Sequence, residues 1–335
     1  MVLVPASFLF WASERTLPAQ CDTPIETVGS PPPRTLPRGA ELRVLSWNLH
    51  YAVGLAADDA LPQRSTVEAN LLAIATLLKR ERVDIAILQE VDFGSSRTHR
   101  LEMARRIAEA SGLPFVARAL NWDKNYLPFP YWPPSAHWGR IRSGVAVLSR
   151  YRLSYNRMYL FPKPRENGWL YNRFYIDRGV QIVDVDLGGR SLRIGNTHLD
   201  AYSIPGRMRQ AQLLLSTLRA HNQPLMLLAG DLNALPPRAT KLHAFEDAPN
   251  EDFRGDGTIG MLMAGLPQYR DALSDRNDFV ELTPTFPADR PNRRLDYIFA
   301  RGLVRVSARV LDGVEALSDH RPIVATYRLL ENDSR

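Results

Sequence analysis

The sequence predicts an α/β fold in one large domain, and three observations predict it. Short apolar runs of strand length alternate with helical segments whose apolar residues recur every three or four positions. At 335 residues the chain can bury one large core. Polar residues able to do chemistry stand repeatedly where an apolar run ends, and strand ends are where α/β proteins assemble sites from distant sequence.

The elements follow in order. Residues 22–40 carry Pro24, Pro31, Pro32, Pro33 and Pro37 with Gly29 and Gly39, and read as an extended linker. The domain organisation expected is 1–40 as a targeting segment or Pro-rich linker, 41–330 as one domain, and 331–335 as a tail. Residues 43–47 form a β-prone run ending at Asn48. Residues 65–81 read as a helix, with Ser65 and Glu68 at capping-box spacing and Val67, Leu71, Ile74 and Leu78 on one face. Residues 83–88 are apolar except for Asp84, as a mostly buried strand requires, and deliver Gln89-Glu90. A second helix over 101–110 stops at Gly112 and Pro114. Residues 143–149 and 180–187 read as strands, and Gly188-Gly189 turns the latter into 192–197 as a hairpin. Residues 207–220 are helical, with Met208, Ala211, Leu215 and Leu218 on one stripe. Residues 225–229 form a buried strand ending at Gly230-Asp231, 236–280 read as irregular, and 294–300 and 322–329 give the last strands.

Composition narrows the function classes. No apolar run reaches the roughly 18 residues that a spanning helix needs. The single cysteine, Cys21, excludes an internal disulfide and a multi-thiolate metal site. Residues 2–11 are apolar as in a signal peptide, yet no basic residue precedes them and Leu17-Pro18-Ala19-Gln20-Cys21 makes a poor lipoprotein-type cleavage site; cytoplasmic and exported locations both stay open. The net charge of +6 suits polyanionic partners, nucleic acid or an anionic membrane surface. Nothing in the sequence points to an obligate protein partner. There is no Walker-type phosphate loop and no Gly-x-Ser-x-Gly elbow. His50, His99, His137, His221 and His243 lack paired ligand spacing, which argues against zinc.

Six short signatures occur in order: Ser46-Trp47-Asn48, Gln89-Glu90, Asn196-Thr197-His198-Leu199, Gly230-Asp231-Leu232-Asn233, Arg294-Leu295-Asp296-Tyr297 and Ser318-Asp319-His320. Each is weak alone, but the ordered set at predicted strands is not. The pattern resembles the endonuclease/exonuclease/phosphatase superfamily over about residues 41–330. The resemblance implies a four-layer sandwich, with two mixed β-sheets face to face and helices on both outer faces, and it implies a metal-dependent hydrolase of phosphoester bonds. Phosphoester hydrolysis gathers negative charge on phosphoryl oxygens, so it needs a hard cation, a water activator and donors. Mg²⁺, or Mn²⁺ in its place, takes oxygen ligands and few carboxylates. Glu90 suits the main ligand, with Asn48 and Asp319 completing the pocket. His320 is the candidate general base or acid. The resemblance implies that Asp296 supports His320, that Asp231 and Asn233 orient the water and bind phosphate, and that His198 contacts phosphate.

Two further features bear on substrate. Residues 122–138 carry Trp122, Tyr126, Phe129, Tyr131, Trp132 and Trp138 with four prolines, a loop whose exposed aromatics would stack on bases or enter a lipid interface. Residues 138–178 hold nine Lys or Arg, Arg140 and Arg178 among them, against Glu166 and Asp177. Trp132, Arg140 and Arg178 are therefore the candidate substrate-binding residues. The stretch at Arg294-Leu295-Asp296-Tyr297 lacks the Pro-x-Trp/Tyr-x-Asp-Arg form of inositol 5-phosphatases, which disfavours that branch. The leading expectation is a phosphodiesterase or nuclease acting on nucleic acid. The alternatives are a phospholipid or sphingolipid headgroup phosphodiesterase and, in another class, a non-catalytic binding module on the same fold.

Overall fold

The computed structural model describes residues 6–55, 61–274 and 283–329. The expected tail at 331–335 lies outside them. In chain order the elements are α1 (Ala6–Ser13), β1 (Gln20–Asp22), β2 (Ile25–Thr27), β3 (Glu41–Asn48), α2 (Arg64–Arg80), β4 (Ile85–Asp92), α3 (Met103–Ser111), β5 (Phe115–Leu127), β6 (Gly139–Ser149) and β7 (Arg152–Phe161). There follow α4 (Trp169–Phe174), β8 (Arg178–Asp186), β9 (Ser191–His198), α5 (Ile204–Ala220), β10 (Met226–Asp231), α6 (Thr258–Gly265), β11 (Arg270–Asp271), β12 (Asp296–Arg301), β13 (Leu303–Val310) and β14 (Ile323–Leu329).

The strands form two seven-stranded mixed sheets, ordered β1-β7-β8-β9-β10-β12-β11 and β13-β14-β3-β4-β6-β5-β2. Each sheet contains one parallel pair, β9 with β10 and β3 with β4. Period-2 alternation separates the layers. Leu42 and Val44 of β3, Ile85 and Ile87 of β4, Ile194 of β9, Leu227 and Ala229 of β10 and Ile298 of β12 meet in the core between the sheets. The alternate residues Leu45 and Trp47, with Ala86 and Leu88, pack outward under α2 and α3. Met226 and Leu228 pack outward under α5 and α6. The result is the expected four-layer sandwich.

An amide ladder crosses the core. Gln89 Nε2 donates to Asn196 Oδ1 (2.8 Å), Asn196 Nδ2 to Gln181 Oε1 (3.2 Å), and Gln181 Nε2 to Asn156 Oδ1 (2.8 Å). Asn196 Nδ2 also reaches the Leu88 and Ala146 carbonyls, so one fully buried side chain ties strands of both sheets together.

Several expectations are corrected. Residues 20–27 are not linker: β1 pairs with β7 and β2 with β5, adding an edge strand to each sheet. The α1 segment is tied to β5, where Lys124 Nζ donates to the Arg15 carbonyl (2.6 Å). The capping box at Ser65 does not form, since α2 begins one residue earlier and Glu68 takes the Arg64 guanidinium instead. Residues 236–280 are not wholly irregular: they contain α6 and β11, and residues 275–280 lie outside the described part.

Candidate active site

The parallel pairs bring the site residues together. Asn48 has the parity of Leu42 and Val44, His198 that of Ile194, Asp231 that of Leu227 and Ala229, and Asp296 that of Ile298. All four therefore face the space between the sheets, at one end. Asp231 is the register partner of His198 on one side and of Asp296 on the other, so these three stand in a row across one sheet. Gly230 makes this possible. It has φ +142°, and an added Cβ would lie 1.8 Å from the Thr197 carbonyl oxygen, so only glycine fits there.

Glu90 departs from this logic. Its parity would send it outward, but β4 carries a bulge between Leu88 and Val91, and Glu90 sits at φ +51°. A β-bulge re-aims a side chain, and a non-glycine residue held at positive φ marks a functional site more often than chance. Asn48 Nδ2 lies 3.2 Å from Glu90 Oε1 and 3.0 Å from Asp231 Oδ2, joining the carboxylates of the two sheets.

His320 arrives on the loop before β14. The Trp47 Nε1–H donates to its carbonyl (2.7 Å), Ser318 Oγ accepts from its N–H (3.0 Å), and Ser318 Oγ donates to the Asn48 carbonyl (2.7 Å). The first and last signatures therefore fasten each other. The ring is set by Asp296 Oδ2, 2.8 Å from Nδ1, and by Phe286, whose ring centroid lies 4.7 Å away. Asp296 is itself set by Thr285, whose Oγ1 accepts from its backbone N–H. Nε2 of His320 is 3.6 Å from Asp231 Oδ2, and Nε2 of His198 is 3.4 Å from the same oxygen. The Asn233 backbone N–H donates to Asp231 Oδ1 (2.9 Å), while its side chain donates to the Leu199 carbonyl.

The electrostatics follow from burial and charge. Burial opposes a charge on His320 but is outweighed by Asp296 and Asp231, so its pKa stands well above the ordinary 6.5. Burial, with Arg178 and His320 nearby, holds His198 well below 6.5, so it is neutral. Burial pushes Asp231 up to about 7, against the pull of His320. Burial also raises Asp319, offset in part by His50 and His320.

Asp231, Asp296 and His320 bring one possible metal-ligand atom each within 4.8 Å of one another. The Asp296–His320 hydrogen bond uses Nδ1 and Oδ2, which leaves His320 Nε2, Asp231 Oδ2 and Asp296 Oδ1 as the atoms that could face a cation there. The all-oxygen group of Glu90, Asn48 and Asp319 suits a hard ion better than one that includes an imidazole.

Of the substrate-binding candidates, only Arg178 belongs to the site. It is 5% exposed, its charge acts on His198, and its Nε and Nη1 have no partner among the described residues. Arg140 is turned to Asp123 and to backbone carbonyls. Trp132 stands 79% exposed, and no contact joins it to the cleft among the described residues. The basic run of 138–178 is not a continuous track, because Arg140, Arg150, Arg157 and Lys163 are paired with Asp123, Asp84, Asp22 and Asp177. In the aromatic loop, Trp122, Phe129 and Trp138 fold onto the core, and Trp122 and Trp138 help enclose the Arg97 guanidinium.

One site residue escapes sequence reasoning. His50 Nδ1 lies 3.6 Å from Asp319 Oδ1 and 2.8 Å from the Gly54 carbonyl. The signal available in the sequence was its place two residues after Asn48. His50, Tyr51 and Ala52 all have positive φ, a strained run beside the site.

Two facing mixed sheets thus carry an acid–histidine cleft at the ends of their parallel strands. The family model of the Endonuclease/Exonuclease/phosphatase family matches residues 45–320, most of the chain. The chain belongs to this family, whose members are hydrolases acting on phosphoester bonds. No curated protein sequence matches it. Among solved structures, it is similar to an endonuclease/exonuclease/phosphatase from Beutenbergia cavernae (TM-score 0.62, 24% identity, covering 86% of this chain and 72% of that one). It is similar also to one from Bacteroides vulgatus (0.58, 14%, 87% and 100%) and to truncated Caenorhabditis elegans TDP2 (0.51, 19%, 87% and 99%). These likenesses establish the shared fold.

Proposed function

We propose that the chain hydrolyses phosphodiesters in a divalent-metal-dependent reaction. The observation that carries this reading is the row His198–Asp231–Asp296, with His320 against it and Glu90 brought in from the other sheet. The donor set fits a hard cation. Glu90, Asp231, Asp296 and Asp319 are gathered at the cleft, and besides burial Asp296 raises the pKa of Asp231 and Glu90 that of Asp319, a repulsion that a cation would relieve. Glu90, with Asn48 and Asp319, would hold Mg²⁺, or Mn²⁺ in its place, and the bound ion would neutralise charge developing on the phosphoryl oxygens.

The chain's own residues do the rest. Asp231, steadied by the Asn233 N–H and the Asn48 amide, orients a water through Oδ2 and accepts its proton as the water oxygen bonds to phosphorus. His320, held charged by Asp296, presents Nε2–H to a phosphoryl oxygen; the raised pKa argues against the expected general-base role and suits a protonated donor. Neutral His198 and Arg178 add donors to the same oxygens. The bond from phosphorus to the leaving oxygen breaks on the far side, and solvent protonates the departing group.

The pairing of Arg140, Arg150, Arg157 and Lys163 breaks up the basic run as a continuous track for nucleic acid, while Arg142, Arg152, Arg165, Arg173 and Arg178 have no carboxylate partner among the described residues. Exposed aromatic side chains beside the cleft favour the second reading, a lipid headgroup phosphodiester. A non-catalytic binding module is disfavoured because every expected catalytic position is filled. The test is cleavage of bis-(p-nitrophenyl) phosphate with Mg²⁺, then with EDTA, followed by a panel of DNA, RNA, sphingomyelin and phosphoinositides. Full activity in EDTA would overturn the metal mechanism, and no cleavage of any phosphoester would return the chain to the binding class.

A further inference from the structure

Helix α4 is unusual for this fold. Its sequence is Trp-Leu-Tyr-Asn-Arg-Phe, and none of its residues is buried. Phe174 at its end packs against the core, but Trp169, Leu170 and Tyr171 stand exposed, and exposed apolar side chains in a row need another explanation. It is held in place by polar contacts: Lys163 Nζ donates to the Asn172 and Tyr175 carbonyls, and Asn172 Nδ2 donates to that of Pro164.

Its neighbours extend the surface. Arg173 of α4 donates to Ser13 Oγ (2.8 Å) and stands 5.0 Å from the Phe10 ring, so α1 lies alongside. Residues 6–13 carry no charge, and Phe10 and Trp11 are about half exposed. On another side the Trp122 Nε1–H donates to the Phe174 carbonyl, bringing up the loop that carries Tyr131 and Trp132. Tyr171 stacks near Tyr175 (5.3 Å), and Tyr175 near Tyr202 (6.4 Å). Exposed large apolar side chains therefore gather here: Phe10 and Trp11, Tyr131 and Trp132, and Trp169 to Tyr171. Tyr175 is three residues before Arg178 and Tyr202 four after His198, so the surface borders the cleft.

We infer that this surface docks the protein on a lipid membrane, resting on the phosphodiesterase reading only for its orientation toward the cleft. Its composition is that of the interface belt, where Trp and Tyr place an amphipathic ring at the headgroup level. Nucleic acid would need aromatics interleaved with free cations. Here Arg15 and Arg140 share Asp123, and Lys163 is held by Asp177. Of the cations on α4 and just before it, Arg173 and Arg165 have no carboxylate partner among the described residues; two are too few for a phosphate track but complement an anionic headgroup layer.

The test is flotation of the full chain with phosphatidylcholine vesicles and with vesicles carrying phosphatidylglycerol, without metal. Wild type should float with both, more with the anionic set. Trp169→Ser/Leu170→Ser should lower partitioning on the order of tenfold or more, because an apolar side chain leaves the interface. Phe10→Ser/Trp11→Ser, on a separate element, should do the same. Both variants should keep wild-type cleavage of soluble bis-(p-nitrophenyl) phosphate, which separates lost docking from lost folding or chemistry. Three results would overturn the inference: no flotation of wild type, flotation unchanged in both variants, or variants that float normally yet lose binding to single-stranded oligonucleotide.

Discussion

Asp296 and His320 lie 2.8 Å apart and buried, so neither can act without the other. His320→Ala should lower kcat on the order of 10²–10³, the range for losing one donor to developing negative charge. Asp296→Asn keeps the shape but removes the charge that sustains the imidazolium, and should also cost heavily. The double variant should be scarcely worse than His320→Ala, because residues acting as a unit are non-additive. His198→Ala, a neutral donor on the other side of Asp231, should combine with His320→Ala closer to additively. Near-wild-type kcat in a folded His320→Ala protein would sink the mechanism. Arg97 offers a contrasting residue-scale expectation. It is bidentate to Asp92 (2.9 Å) and enclosed by Tyr51, Trp122 and Trp138. Arg97→Ala strands a buried carboxylate and should destabilise by about 3–5 kcal/mol in urea unfolding.

At the scale of elements, strands of eight residues with clear alternation were legible, and so were the helices with an apolar stripe. What escaped has physical reasons. β1 and β2 are three residues each, too short for a period to register, and they exist only because an edge waits to be paired. α6 is flanked by glycines and is made helical by packing on α5 rather than by propensity, with Gly265 against Leu215. In the site, alternation alone places Asn48, His198, Asp231 and Asp296 on one face. The Glu90 bulge and the approach of His50 to Asp319 are tertiary facts with no local signature. The attachment of the N-terminal segment gives a pH prediction. Burial lowers Lys124 from 10.5 to about 8, with Lys163 adding to the effect. The folded state therefore disfavours the charged amine, the unfolded chain binds more protons between about 8 and 10, and stability should rise with pH across that window. As pH falls back through about 8 that gain is lost. In Lys124→Met the rise should vanish, read from unfolding midpoints at pH 7, 8, 9 and 10; an unchanged rise would show that another group drives it.

At the scale of the whole molecule, the two sheets are joined by neutral amides in the core and, at the end beside them, by charge. Gln89, Asn196, Gln181 and Asn156 hydrogen-bond in a chain through the core, with Gln89 Oε1 left without a partner among the described residues. The cleft instead gathers Glu90, Asp231, Asp296 and Asp319, which repel across the sheet interface. That asymmetry predicts how metal couples to folding. Without a divalent ion, Glu90→Gln should be neutral or mildly stabilising, because it removes one charge from the cluster and leaves an oxygen for the Asn48 amide, 3.2 Å away in the wild type. With Mg²⁺ the order should reverse. A ligand that binds only the folded state stabilises by RT ln(1 + [L]/Kd), about 2.7 kcal/mol at a hundredfold excess over Kd. Wild type should gain that increment, and Glu90→Gln and Asp319→Asn should lose most of it. The measurement is thermal unfolding of the three proteins in EDTA and across a Mg²⁺ titration, with Mn²⁺ as a parallel series. The crossing of the wild-type and Glu90→Gln curves is the decisive feature, because a residue with a merely structural role would shift stability in the same direction with and without metal. Parallel titrations in all three proteins would place the ion elsewhere, with Asp231, Asp296 and His320 the first group to substitute next.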